Sequence, residues 1–128
     1  MLITSIPQYI QGLTNAKLDL TTTNATVLYT APSDADFNAS VISSILVSED
    51  SGNADTITVT VTNTAGAVFS LFHVKAVGAS TTIELLTRDL ILQSAEILKV
   101  TAATANRLHV VASIQEYAKT RISTSAVL

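Results

Sequence analysis

The side chains best equipped for chemistry in this 128-residue chain are few and scattered. Its two histidines are His73, between Phe72 and Val74, and His109, between Leu108 and Val110. Polar residues that alternate with apolar ones mark a strand, so both imidazoles belong on the polar faces of strands. Metal binding or proton transfer would require an imidazole to converge with a carboxylate. No H-x-H or H-E-x-x-H spacing provides that locally. A structural role is expected for both histidines.

Glu49, Asp50 and Asp55 bracket Gly52, and carboxylates around a glycine can offer oxygen ligands to calcium. The D-x-[DN]-x-[DN]-G order of an EF-hand loop is absent, and the same residue types favour a turn between strands. The expectation is a solvated turn. The chain contains no cysteine, which excludes disulfides, thiol catalysis and cysteine-bound metals. No serine sits in a G-x-S-x-G elbow, and the four glycines form no phosphate loop. The reading is therefore of a protein that is not an enzyme, with no catalytic, cofactor-binding or metal-binding residue and no cofactor. Asn24-Ala25-Thr26 and Asn38-Ala39-Ser40 match a glycosylation sequon and are taken as chance matches, because the N-terminus lacks a signal-peptide pattern.

The elements that would position these residues are all strands. Valine, isoleucine and threonine make up about a third of the chain, and these branched side chains suit a pleated sheet. Hydrophobic residues account for 48% and charged residues for only 13%, against about 25% in an ordinary soluble domain. So little charge on so apolar a chain points to surface hidden against partners, and hence to an oligomer. The net charge of −3 argues against a nucleic-acid partner, which would call for a basic stripe. No apolar run nears the ~20 residues of a membrane span. The expected setting is assembly in a cytoplasm, with no membrane partner. Asp34, Asp36, Glu49, Asp50 and Asp55 follow one another without a base, whereas Lys99, Arg107, Lys119 and Arg121 crowd the last third. Solvated loops, or attraction between halves of neighbouring copies, would both account for this separation.

Period-2 alternation defines strands over Ala16–Leu20, Ala25–Thr30, Phe37–Val47, Thr56–Thr62 and Ala67–Lys75. Further strands are expected over Thr82–Leu86, Leu90–Leu92, Ile97–Val100 and Arg107–Gln115. On Phe37–Val47 the core face is read as Phe37, Ala39, Val41, Ile45 and Val47. On Thr56–Thr62 it is Ile57, Val59 and Val61, and on the last strand Leu108, Val110, Ala112 and Ile114. Asn63-Thr64-Ala65-Gly66 is a hairpin connection. Eight or nine antiparallel strands, with turns every eight to twelve residues and no amphipathic helix, give an all-β fold of β-sandwich or jelly-roll type. The domain is placed at residues 14–117, between an N-terminal arm (1–13) and a C-terminal tail (118–128). These flanks are apolar, and the residues expected to pack against other subunits are Leu2, Ile3, Ile6, Tyr9, Ile10, Tyr117, Ile122, Val127 and Leu128. The alternative for the first segment is a strand covering its own core.

The stretch Thr26-Val27-Leu28-Tyr29-Thr30-Ala31-Pro32, followed by Val41-Ile42-Ser43-Ser44-Ile45-Leu46-Val47, resembles a module of structural proteins of tailed bacteriophages. There an LYTAP strand end leads through a polar loop to a SILV strand. Leu98-Lys99-Val100-Thr101-Ala102 and Leu108-His109-Val110-Val111-Ala112-Ser113 are similar to that module's closing strands, so the likeness spans roughly residues 18–117. The resemblance implies a virion protein. It would be a capsid decoration (cement) protein that binds the capsid surface and bridges neighbouring subunits, or a small tail or neck component. The implied partners are further copies of itself, as a homotrimer by analogy, and the major capsid protein or other virion subunits. A host-recognition module of a tail fibre is the remaining alternative, which the scarcity of aromatics disfavours. The family pattern carries no catalytic residues.

Overall fold

Alternation of apolar and polar side chains governs nearly every element of the computed structural model, which describes residues 9–119. The strands are β1 (Tyr9–Asp19), β2 (Thr26–Thr30), β3 (Phe37–Glu49), β4 (Asp55–Thr62), β5 (Val68–Val77), β6 (Thr82–Glu84), β7 (Leu90–Leu92), β8 (Ile97–Ala102) and β9 (Leu108–Ala118). All pairings are antiparallel. The first sheet has the order β1-β9-β3-β6, with β7 also on β3; the second has the order β2-β8-β4-β5. Because β6 and β7 lie end to end along β3, they act as one interrupted strand. The chain thus passes back and forth between two four-stranded layers, a β-sandwich with jelly-roll-like strand order.

The core lies between the layers and contains Leu20, Ile42, Ile45, Ile57, Val59, Leu98, Val100, Leu108 and Val110, each 1% exposed or less. The expected core faces of β4 and β9 are observed: Ile57, Val59, Val61, Val110, Ala112 and Ile114 are buried, whereas Thr58, Thr60 and His109 are half-buried on the other side. The Asn63–Ala67 hairpin also forms. The Asn63 side chain accepts the Ala65 and Ala67 amides, and Gly66 takes the left-handed conformation (φ +87°).

Three expectations are corrected. On β3 the inward set is Phe37, Ser40, Ile42, Ile45, Val47 and Glu49, and Ala39 and Val41 face outward. Bulges between Phe37 and Ala39 and between Ile42 and Ser44 each insert a residue and reset the alternation. Residues Tyr9–Leu13, assigned to an arm, form the first half of β1 and pair with β9, while Tyr117 lies inside β9, opposite Ile10 and Ala39. This part of the first segment is a strand, as the alternative had it, but it does not cover the core: Ile10 and Leu13 are exposed. Finally, Glu49 and Asp55 are not solvated: they are 2% and 7% exposed. Leu2, Ile3, Ile6, Ile122, Val127 and Leu128 fall outside the described residues.

Candidate interaction surface

Of the polar side chains that looked capable of chemistry, Glu49 and Asp55 are engaged in holding the sandwich together. At the end carrying the β3–β4 turn, the Glu49 carboxylate accepts hydrogen bonds from the Ser51 amide (2.8 Å), the Gly52 amide (3.1 Å), the Ser80 amide (2.9 Å) and the Ser51 hydroxyl. Burial alone would raise its pKa, but these donors outweigh it and hold the group at about 2. Glu49 therefore ties its own turn to the β5–β6 turn 31 residues away. Nearby, Asp55 accepts the Thr104 amide (3.1 Å) and Arg107 donates to the Ala54 carbonyl (2.9 Å). The acidic turn and the 104–107 segment thus meet within one chain, through a backbone amide and a backbone carbonyl.

His73 is exposed on β5. His109 lies on the outer face of the first sheet, its Nε2 3.3 Å from Asp19 and its Nδ1 3.4 Å from Asp50. Both carboxylates are more than half exposed, so these contacts are worth little. The sequence held no local signal for this grouping, because strand register and a turn bring together residues 19, 50 and 109. Among the described residues no group of three or more His, Asp or Glu stands where it could hold a metal ion.

Two other polar links escaped notice in the sequence. Tyr29 on β2 reaches across the sandwich, its hydroxyl 2.5 Å from Glu116 on β9 and 2.6 Å from buried Ser40 on β3. Burial, followed by the hydrogen bond to the Glu116 carboxylate, pushes the phenol pKa up. Glu84, at the end of β6, accepts the Ile45 amide (2.7 Å), the Leu86 amide (3.1 Å) and the Ser44 hydroxyl. Burial again acts upward, and these donors more than offset it, so its pKa is lowered. Glu84 thereby fastens the β3 bulge against the segment that interrupts β6 and β7.

The unusual surface is the β5 flank. Eight of the ten β5 residues are exposed and one is half-buried; only Val77 is buried. Val68 (61%), Phe69 (54%), Leu71 (39%) and Val74 (54%) present apolar side chains to solvent. Beside them the mouth of the sandwich is open, because the opposing strand is broken between β6 and β7. A cleft of about 330 Å³ opens there, with Leu71 and Phe72 facing Leu85, Leu86 and Leu90, and Arg88 and Asp89 at its rim. The β5 edge is irregular: its register with β4 shifts on either side of Phe72, and Val74 adopts φ +52°, with its amide donating to Thr58 Oγ1 (3.0 Å). Bulges of this kind twist an edge away from open-ended strand pairing. The flank therefore offers side chains, rather than a flat backbone edge, to a partner. Of the residues expected at interfaces, Ile10 is 59% exposed on β1, at the other edge of the sandwich, and the Tyr117 hydroxyl donates to Gln115 (2.7 Å).

No protein-family model matches this chain, and no curated protein matches it significantly.

Proposed function

We propose that this protein is a structural building block that joins its neighbours through the β5 flank, and that it serves as a virion protein of a tailed bacteriophage. In this role it decorates the capsid surface and bridges adjacent subunits as a homotrimer. The observation that carries the assembly reading is the exposure of Val68, Phe69, Leu71 and Val74 along β5, beside an open apolar cleft. Several large apolar side chains exposed along one strand of a small domain mark a contact site. The virion setting rests on the likeness of Thr26–Pro32 and Val41–Val47 to phage structural modules. At the opposite edge, Ile10 and Leu13 (73% exposed) add apolar surface. Contacts at both edges would let one subunit hold two neighbours.

The test is a Val68→Lys/Phe69→Lys double variant. Both positions are exposed, so stability should change by no more than about 0.5 kcal/mol per site. Light scattering should show loss of the oligomer, and occupancy on particles lacking the wild-type protein should collapse. A variant that keeps its oligomer mass and its occupancy would overturn the proposal. Imaging of labelled particles then separates head from tail or neck.

A further inference from the structure

On the outer face of the first sheet, strand register lays the side chains out in rows, because residues paired across strands share a face. One row is Ile10, Tyr117 and Ala39; the next is Leu13, Gln115, Val41 and Ile91. Together they form an apolar patch broken only by Gln115. Ile10 (59%), Leu13 (73%) and Ile91 (61%) are exposed, and Ala39, Val41, Ile91 and Tyr117, with Asn38, line a hollow of about 220 Å³. Further along the strands come a row of Lys17, Val111, Leu46 and Glu84 and a row of Asp19, His109, Ser48 and Thr82. Lys17 and Glu84 thus stand at opposite edges of one row, and among the described residues neither is in an ion pair. Leu46, between them, is 41% exposed.

We infer that this face packs against the same face of a second copy, about a two-fold axis that runs along the strands between β9 and β3. Such an axis keeps each row in place and exchanges its ends, so β1 of one copy lies over β6 and β7 of the other. Leu13 then meets Ile91 of the second copy, and Tyr117 meets Ala39. In the charged row, Lys17 meets Glu84 and Val111 meets Leu46; in the last, Asp19 meets Thr82 and His109 meets Ser48. No row brings like charges together, and the Lys17–Glu84 pair forms twice. Three donors fix the Glu84 carboxylate in place, yet the residue stays exposed to an incoming lysine. The area also suffices. Four strands at about 4.8 Å, by the length of β9 from His109 to Tyr117 at about 3.4 Å per residue, give roughly 600 Å². Stable interfaces begin at about that area per partner. Sheets stack face to face within about 30° of alignment, which keeps the rows matched near the axis. This contact is independent of the β5 flank, which belongs to the second sheet. Being two-fold, it pairs copies that the β5 flank assembles.

The chain has no cysteine, so engineered pairs report contact directly. In a Leu13→Cys/Ile91→Cys variant, mild oxidation should give a dimer band on a non-reducing gel. The two positions lie three strand spacings apart within one chain, about 14 Å, too far for an internal disulfide. Both are exposed, so folding is preserved. Each single variant should give far less dimer, because the axis places position 13 over position 91 and not over itself. The same disulfide should form when Val68→Lys and Phe69→Lys are added, which separates this contact from the β5 flank. In the Val68→Lys/Phe69→Lys protein without cysteines, Lys17→Glu should raise the dimer dissociation constant about tenfold, because two ion pairs become repulsions. Light scattering over a concentration series reads that change. The inference is overturned by a double variant that gives no disulfide between chains, or by single variants that bond as fully as the double one. Loss of the disulfide in the β5 variant, or a dimer indifferent to Lys17→Glu, would overturn it as well.

Discussion

β4 and β5 are the two arms of one hairpin, similar in length and in their share of β-forming residues, yet their surroundings are opposite. Along β4, buried and half-buried residues alternate without a break; along β5, only the last residue is buried. β4 has a hydrogen-bonded neighbour on each side and the other layer beneath it, so its inward valines and isoleucine are enclosed. β5 has one neighbour, and the strand that should lie beneath it is interrupted between β6 and β7. Val59 and Phe69 thus belong to the same kind of sequence, but Val59 is a core residue and Phe69 is 54% exposed. Burial on a strand depends on what covers it, and side-chain alternation records only that some face is to be covered.

The sharpest way to break this contrast is to place a charge on each arm. Val59→Asp should abolish folding, at a cost above about 4 kcal/mol, because an unpaired carboxylate would be buried among aliphatic side chains. Phe69→Asp should leave a cooperatively melting domain. Circular dichroism melts of the two variants decide the matter, and a soluble, cooperatively folded Val59→Asp would show the assigned core face to be wrong.

The next largest effect concerns the clasp between the turns that lead into β4 and out of β5. The folded pKa of Glu49, at about 2, lies below the ~4.3 of an unfolded glutamate. The ionised group therefore stabilises the fold fully above that unfolded value, and the contribution is lost as pH falls through about 2. Glu49→Gln should lower the melting temperature at neutral pH and flatten its decline between about pH 4.5 and 2. Equal acid sensitivity in variant and wild type would remove Glu49 from that role.

Smaller effects test what shapes the β5 edge. Thr58→Val removes the hydroxyl that accepts the Val74 amide and should cost about 1 kcal/mol in denaturant unfolding. Val74→Asn should have the opposite sign. A β-branched residue at φ +52° is strained, whereas asparagine tolerates that region, so a gain of less than about 1 kcal/mol is expected. A loss of stability there would mean that the Val74 side chain contributes packing despite its exposure.

The sequence by itself determined the class of fold, most of the strands, the hairpin at Asn63–Ala67 and the inward faces of β4 and β9. These features are local: a period of two and a few turn residues specify them wherever the strand lies. Only the tertiary structure decided the face of β3 between its two bulges, because the first inverts the alternation over Ala39–Ile42 and the second restores it, and neither bulge carries a glycine or proline to announce it. It also decided the partners of the carboxylates. Glu49 meets the Ser80 amide, His109 meets Asp19 and Asp50, and Tyr29 meets Glu116, each across a sequence gap that no spacing rule bridges. The exposure of β5 belongs with these, since it follows from an interruption in the opposite layer some ten residues further along the chain. Strand alternation acts between neighbours in sequence, whereas layering, register and cover act between neighbours in space, and the candidate surface of this protein is a product of the second.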